Sequence, residues 1–173
     1  NPWQSDLDPY AMAAAAIDEA MRNVVAVGGD PDHTAILDNF SWGNCSRKER
    51  LGALVRAAFA CRDVALAFGT PFISGKDSLN NEFRVGDELI VIPDTLLISA
   101  ISVIRDVAKT VTMDIKRPNS LLYIVGITQR ELGGSHYFLA RGLEQGGAVP
   151  RVAPERALNA FRALHAAIKK DLV

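Results

Sequence analysis

A chain of 173 residues, 49% hydrophobic and 23% charged, has the balance of a globular protein, with room for one full domain or for one domain and part of another. Nineteen basic and twenty acidic side chains leave a net charge of −1, which excludes an electrostatic footprint for nucleic acid or an anionic membrane. No apolar run approaches the roughly eighteen residues of a spanning helix, and Cys45 and Cys61, without a Cys-x-x-Cys spacing or clustered histidines, read as free thiols of a reducing cytosol.

Asp8-Pro9 opens the first helix, with Asp8 as N-cap and Pro9 at the first helical position; Gly28-Gly29 closes it. Ile17, Met21, Val24 and Val25 recur at helical spacing and define its buried face, and the alanine run 13–16 permits close packing. Glu19 and Asn23, one turn apart, share a different face from Asp18 and Arg22; either pair also suits a solvated surface. A turn at 28–32 leads into a strand, His33 to Leu37, that delivers Asp38 to its end, as a metal or nucleotide contact or as an Asx turn. Ser46-Arg47-Lys48-Glu49 has the form of a capping box, and the helix after it carries Leu51, Leu54, Val55, Ala58, Phe59 and Leu66 at helical spacing before Gly69.

The stretch 71–82, Pro-Phe-Ile-Ser-Gly-Lys-Asp-Ser-Leu-Asn-Asn-Glu, passes from an apolar strand to polar chemistry within a few residues. A rigid strand with a polar tip suits a ligand site. Gly75 permits close backbone approach, Lys76 offers a charge for phosphate, Asp77 a hard oxygen and Ser78 a hydroxyl. The same residues also suit a solvated β-turn. A Walker A loop is excluded, because Thr70 and Asp77 stand where that motif needs glycine and Ser or Thr.

Gly86-Asp87 marks a turn, and strands are expected at 88–92 and 95–104. The second of these is apolar on both faces, as a strand covered on both sides would be, by two layers of one domain or by an interdomain or subunit contact. Residues 105–119 form the expected domain boundary. A strand at Ser120–Val125, a Gly133-Gly134 turn, a short helix at 138–142 and a final helix from Pro154 follow, the last burying Leu158, Phe161, Leu164 and Ile168. His136 and His165 have no evident partners and read as non-catalytic. The first residue is Asn, and the chain stops straight after a helical pattern, so a segment of a longer polypeptide is expected.

Taken together, 18–23 (Asp-Glu-Ala-Met-Arg-Asn), 37–44 (Leu-Asp-Asn-Phe-Ser-Trp-Gly-Asn) and 75–82 (Gly-Lys-Asp-Ser-Leu-Asn-Asn-Glu) occur in an order and spacing that resembles phosphoribosylformylglycinamidine synthase. Residues 93–99 and 131–135 extend the similarity over nearly the whole chain. The resemblance implies an α/β (α+β) fold of the aminoimidazole-ribonucleotide-synthetase type. An N-terminal domain at 1–108, which pairs with a second copy of itself into a barrel, would be followed by the start of a C-terminal domain at 109–173.

It further implies Mg2+ ligands at Glu19 and Asn23, nucleotide contacts at Asp38 and Gly75, and a substrate contact at Ser78. Shorter family members carry a metal-binding Asn where this chain has Lys76; a cation cannot ligate Mg2+, so Lys76 is expected to bind phosphate or pair with Asp77, as in the long single-chain form. The implied activity is a cytoplasmic ATP-dependent ligase of purine biosynthesis that converts formylglycinamide ribonucleotide to its amidine, with ATP/ADP and Mg2+ as cofactors. A first synthetase half and a glutaminase would be partners, and no catalytic residue is assigned in this segment. The alternatives are a structural nucleotide-binding half of that enzyme, or another superfamily member such as aminoimidazole ribonucleotide synthetase, selenophosphate synthetase or a thiamine-phosphate kinase type.

Overall fold

The computed structural model describes residues 2–173. A short helix, α1 (Pro2–Ser5), precedes the long helix α2 (Pro9–Ala26). Strand β1 (Thr34–Ser41) follows a 3-10 turn at Pro31–His33, and helix α3 (Lys48–Phe68) leads to β2 (Phe72–Ser78). A hairpin of β3 (Glu82–Val85) and β4 (Glu88–Val91) turns through Gly86 and Asp87, and β5 (Thr95–Ser102) completes the strands. Two further helices, α4 (His136–Ala140) and α5 (Pro154–Lys169), come after a long stretch whose one regular element is a 3-10 turn at Val107–Lys109.

Helix α2 starts where the sequence places it. The Asp8 carboxylate accepts the backbone N–H groups of Tyr10 and Ala11 at 3.1 and 3.2 Å, and Pro9 gives up an N–H that has no helical partner anyway. Met12, Ile17, Met21 and Val25 are buried, and so are Ala11, Ala13 and Ala14, which let α3 approach.

The sheet order is β2-β1-β5, with β1 parallel to β2 and antiparallel to β5. Ile36 and Phe40 of β1 and Leu96 of β5 point into the core under α2 and α3; Ala100 and Ile98 pack beside them. The opposite face is bare: Leu97 is 59% exposed and Ile101 58%. Within the chain the helices lie on one face alone, so of the covers expected for both sides a second layer of the same domain is absent. Strand β1 also runs to Ser41, well beyond the expected end at Leu37.

Three further expectations are corrected. Helix α3 buries Ala57, Ala60, Cys61, Val64 and Phe68, whereas Leu51, Val55, Phe59 and Leu66 of the expected stripe are exposed. Its small residues win the inner face because they fit against the alanines of α2, and bulk alone does not decide the side that packs. The capping box is absent. Arg47 occupies the N-cap position without a side-chain bond, and Asn44 Oδ1 accepts the Ser46 N–H at 2.8 Å, an Asx arrangement that competes with the cap. Finally, Ser120–Val125 forms no strand. Leu121, Leu122, Tyr123 and Ile124 are all strongly exposed, since a strand needs a ladder and neither sheet offers this segment one.

Helix α5 buries Leu158, Phe161 and Ile168 as expected, leaves Leu164 half-buried against the core, and its Phe161 ring meets Phe68 of α3 edge-on at 5.7 Å. The C-terminal helix thereby shares a core with α2 and α3.

Asp8 ties this assembly at one point. Besides the two backbone donors, it receives Arg56 of α3 at 2.9 Å and Arg151 at 3.4 Å. Burial would raise its pKa, yet the Ala11 N–H and the two guanidiniums outweigh that and hold it below the ordinary 3.8. A depressed carboxylate contributes stability above its unfolded pKa and loses it as pH falls through the lower folded value. Asp8→Ala is expected to destabilise the fold by about 1–2 kcal/mol at neutral pH. In urea titrations the difference from wild type should shrink below pH 3.8, where the carboxylate protonates.

Candidate functional site

The parallel pairing of β1 and β2 sets Asp38 opposite Gly75 and Phe40 opposite Asp77. Side chains alternate along a strand, so Asp38 lies between Ile36 and Phe40 on the helix-covered side. A Cβ added at Gly75 would overlap the Asp38 carboxylate, so glycine is what gives that carboxylate its space. Partial burial raises the Asp38 pKa, and the neighbouring negative charge of Asp77 raises it further; the Lys76 backbone N–H works in the opposite direction. Cys61 of α3 sits close enough to feel the same charge. Burial first, and Asp38 second, push its thiol up to about 12, so it stays protonated and unreactive.

Lys76 and Ser78 pair with Asn39 and Ser41, which alternation places on the bare side of the sheet. The Lys76 ammonium donates to the Ser78 hydroxyl at 2.7 Å rather than pairing with Asp77. The motif therefore divides, with Gly75 and Asp77 beside Asp38 and with Lys76 and Ser78 behind them. Glu19 and Asn23 lie one turn apart on the exposed side of α2. Among the described residues no hydrogen bond or ion pair joins either of them to Asp38, Gly75, Lys76 or Ser78. Their neighbours Asp18 and Arg22 form an ion pair at 2.5 Å.

Sequence reasoning assigned no role to four residues that hold the ends of these strands. Glu82 accepts the Asn44 N–H at 3.2 Å and pairs with Arg47, which with that N–H keeps its carboxyl below the usual range. Asp94, buried, pairs with Arg50 at 3.0 Å. The Trp42 N–H donates to the Ser78 carbonyl at 2.7 Å, and the Asn81 N–H donates to the Trp42 carbonyl at 2.8 Å. Segments 42–44 and 78–82 thus form one clamped unit. The sequence shows Arg47 and Arg50 three apart at the start of α3, but nothing in that spacing names Glu82 and Asp94 as their partners.

These paired segments sit within a matched stretch. Residues 1–92 match the family model described as AIR synthase related protein, N-terminal domain, so the chain belongs to that family. Within it, the chain is similar to phosphoribosylformylglycinamidine synthase subunit PurL of several organisms. It is 35% identical to that of Deinococcus radiodurans over 87% of the chain. It is 34% identical to that of Thermococcus sibiricus over its whole length, and 33% identical to that of Methanocaldococcus jannaschii over 96%. The chain spans 21 to 23% of the length of these relatives.

The raised pKa of Asp38 has a stability consequence. An acid whose folded pKa lies above its unfolded value favours the fold fully below the unfolded value, and that contribution disappears as pH rises through the folded one. Asp38→Asn is therefore expected to stabilise the protein at neutral pH by about 0.5–2 kcal/mol, the range of a relieved functional position. Thermal denaturation at pH 7 and at pH 3 checks it: the gain should be present at pH 7 and fade at pH 3.

Proposed function

We propose that this chain is part of an ATP-dependent ligase that forms formylglycinamidine ribonucleotide in purine biosynthesis, and that it contributes nucleotide, Mg2+ and substrate contacts. The observation that carries this reading is the juxtaposition of Asp38 with a glycine whose missing side chain leaves that carboxylate its space. It lies in a matched family segment, on strands whose ends are clamped by Glu82 and Asp94. Residues 1–108 are read as the N-terminal domain and 109–173 as the beginning of the C-terminal one; the family match to 1–92 supports the first half of that division.

The donor set suits magnesium held through a nucleotide rather than in a cage of its own. Among the described residues no group of three or more His, Cys, Asp or Glu side chains is placed to hold a metal ion. Mg2+ is commonly bound by one or two protein oxygens, with waters and phosphates filling the rest of its octahedron. Glu19 and Asn23 supply a carboxylate and an amide oxygen one turn apart and open to an incoming ligand. Asp38 and Gly75 would contact the nucleotide, Lys76 its phosphates and Ser78 the substrate. Bound Mg-ATP would supply the phosphoryl group that turns the amide oxygen of the substrate into a leaving group for ammonia. In that step, Lys76 would hold negative charge in place by a direct ammonium contact, while Ser78, already oriented by Lys76, would fix the substrate.

A first synthetase half and a glutaminase would complete the enzyme, in the cytoplasm. No helix among the described residues is long and apolar enough to cross a membrane. The bare face of β5 and β1 would meet a second copy of the domain.

In the full-length protein, Glu19→Ala and Asn23→Ala are each expected to weaken Mg2+-dependent ADP binding about tenfold, equivalent to about 1.4 kcal/mol. Equilibrium dialysis with and without EDTA reads the effect. Unchanged ADP affinity in both variants would overturn the metal assignment. Reduced binding with unchanged turnover would identify a structural nucleotide site.

A further inference from the structure

A cavity of about 410 Å3 opens between α2, α5 and the segments 125–131 and 150–153, on a different face of α2 from Glu19 and Asn23. Ala15, Val25, Val152 and Phe161 give it an apolar wall. Its charges are three guanidiniums, from Arg22, Arg151 and Arg156, against the carboxylates of Asp18 and Glu131.

The guanidiniums differ in how they are engaged. Arg22 is held from two sides: its Nε donates to Asp18, whose side chain is only 12% exposed, and its guanidinium lies 5.8 Å from the centre of the Phe161 ring. That leaves its terminal nitrogens directed by a fixed base, the pre-organised fork that suits a planar or tetrahedral anion. Arg151 is shared with Asp8 at 3.4 Å, and its backbone N–H donates to Glu131 at 3.4 Å. The Arg156 side chain lines the cavity and, among the described residues, makes no hydrogen bond or ion pair.

We infer that this cavity binds a small organic anion, with an apolar body against Val25, Val152 and Phe161 and a phosphate or carboxylate on Arg22 and Arg156. The site goes beyond the nucleotide contacts proposed above and shares no residue with them. Asp18 acts here as a positioning residue: it orients Arg22 and does not itself meet the anion. A fixed cation beside apolar surface distinguishes such a ligand from a bare ion, because the body adds buried area that the head alone lacks.

Calorimetric titration of the full-length protein with phenyl phosphate, benzoate and inorganic phosphate tests the site. Saturable binding of phenyl phosphate or benzoate is expected, with the better ligand identifying the head group and inorganic phosphate weaker than phenyl phosphate. Arg156→Gln, at a side chain with no partner to lose, should weaken that binding about tenfold, the effect of removing a charge-assisted hydrogen bond. Arg22→Gln should do the same, with Arg22→Lys recovering part of the loss. Lys76→Gln, at the proposed phosphate contact, should leave it unchanged. Absence of binding by both organic probes, indifference to Arg156→Gln, or inorganic phosphate binding as tightly as phenyl phosphate would each overturn the inference. Binding lost in Lys76→Gln but kept in Arg156→Gln would also overturn it, and would place the anion at the nucleotide contacts instead.

Discussion

Strand β1 has to bury Ile36 and Phe40 at once, and the residue between them on the same face is Asp38. With a side-chain period of two, no register exists that keeps both apolar residues under the helices and turns the carboxylate out to solvent. The hydrophobic requirement of the central strand thus carries an acid to the inner side of the sheet. Its cost is visible in the raised pKa and is limited by the open space above Gly75 and by the Lys76 backbone N–H. Natural folds tolerate such a conflict mainly where the conflicting group has another task.

The neighbouring strands follow from the same centre. Parallel pairing with β2 needs a crossover, which α3 supplies, and antiparallel pairing with β5 closes the other side. Helices α2 and α3 then cover one face, each offering small residues where they meet: Ala13 and Ala14 from one, Ala57 and Ala60 from the other. Close approach favours alanine over leucine at the contact, and the larger Leu51, Val55 and Phe59 turn outward. Arg62 lies over the outward Phe59 ring at 5.3 Å, so part of that exposed apolar surface is sheltered by a charged side chain.

That choice explains where sequence reading succeeded and where it failed. Helix α2 was legible because a cap, a proline, a closing glycine and a regular apolar period all agreed, and α5 because its proline and apolar period did. The inner face of α3 was not, because hydrophobic spacing there marks two stripes and only the partner surface decides between them. The Ser120–Val125 run has the composition of a buried strand, but composition does not supply the neighbour to which its N–H and C=O groups must bond. The capping box failed for a related reason. Asn44 takes the Ser46 N–H that the box would use, and Arg47 pairs with Glu82 across thirty-five positions of chain that local pattern cannot see.

The candidate site shows the same division. Glycine before Lys-Asp-Ser signalled a close approach, and the structure supplies the approaching group in Asp38. What linear spacing could not show is that alternation sends Lys76 and Ser78 to one side of the sheet while Asp77 joins Asp38 on the other. A ligand that touches both sets has to reach around the end of the paired strands, past Trp42 and Asn81, where the backbone is clamped by hydrogen bonds of 2.7 and 2.8 Å. Glu82 and Asp94 anchor that end through Arg47 and Arg50, so two ion pairs at the start of α3 add to the backbone hydrogen bonds that fix the strand tip. Contacts divided between two sides of a sheet can serve one ligand only if the edge between them holds its shape, and these ion pairs and backbone hydrogen bonds together are what fix it.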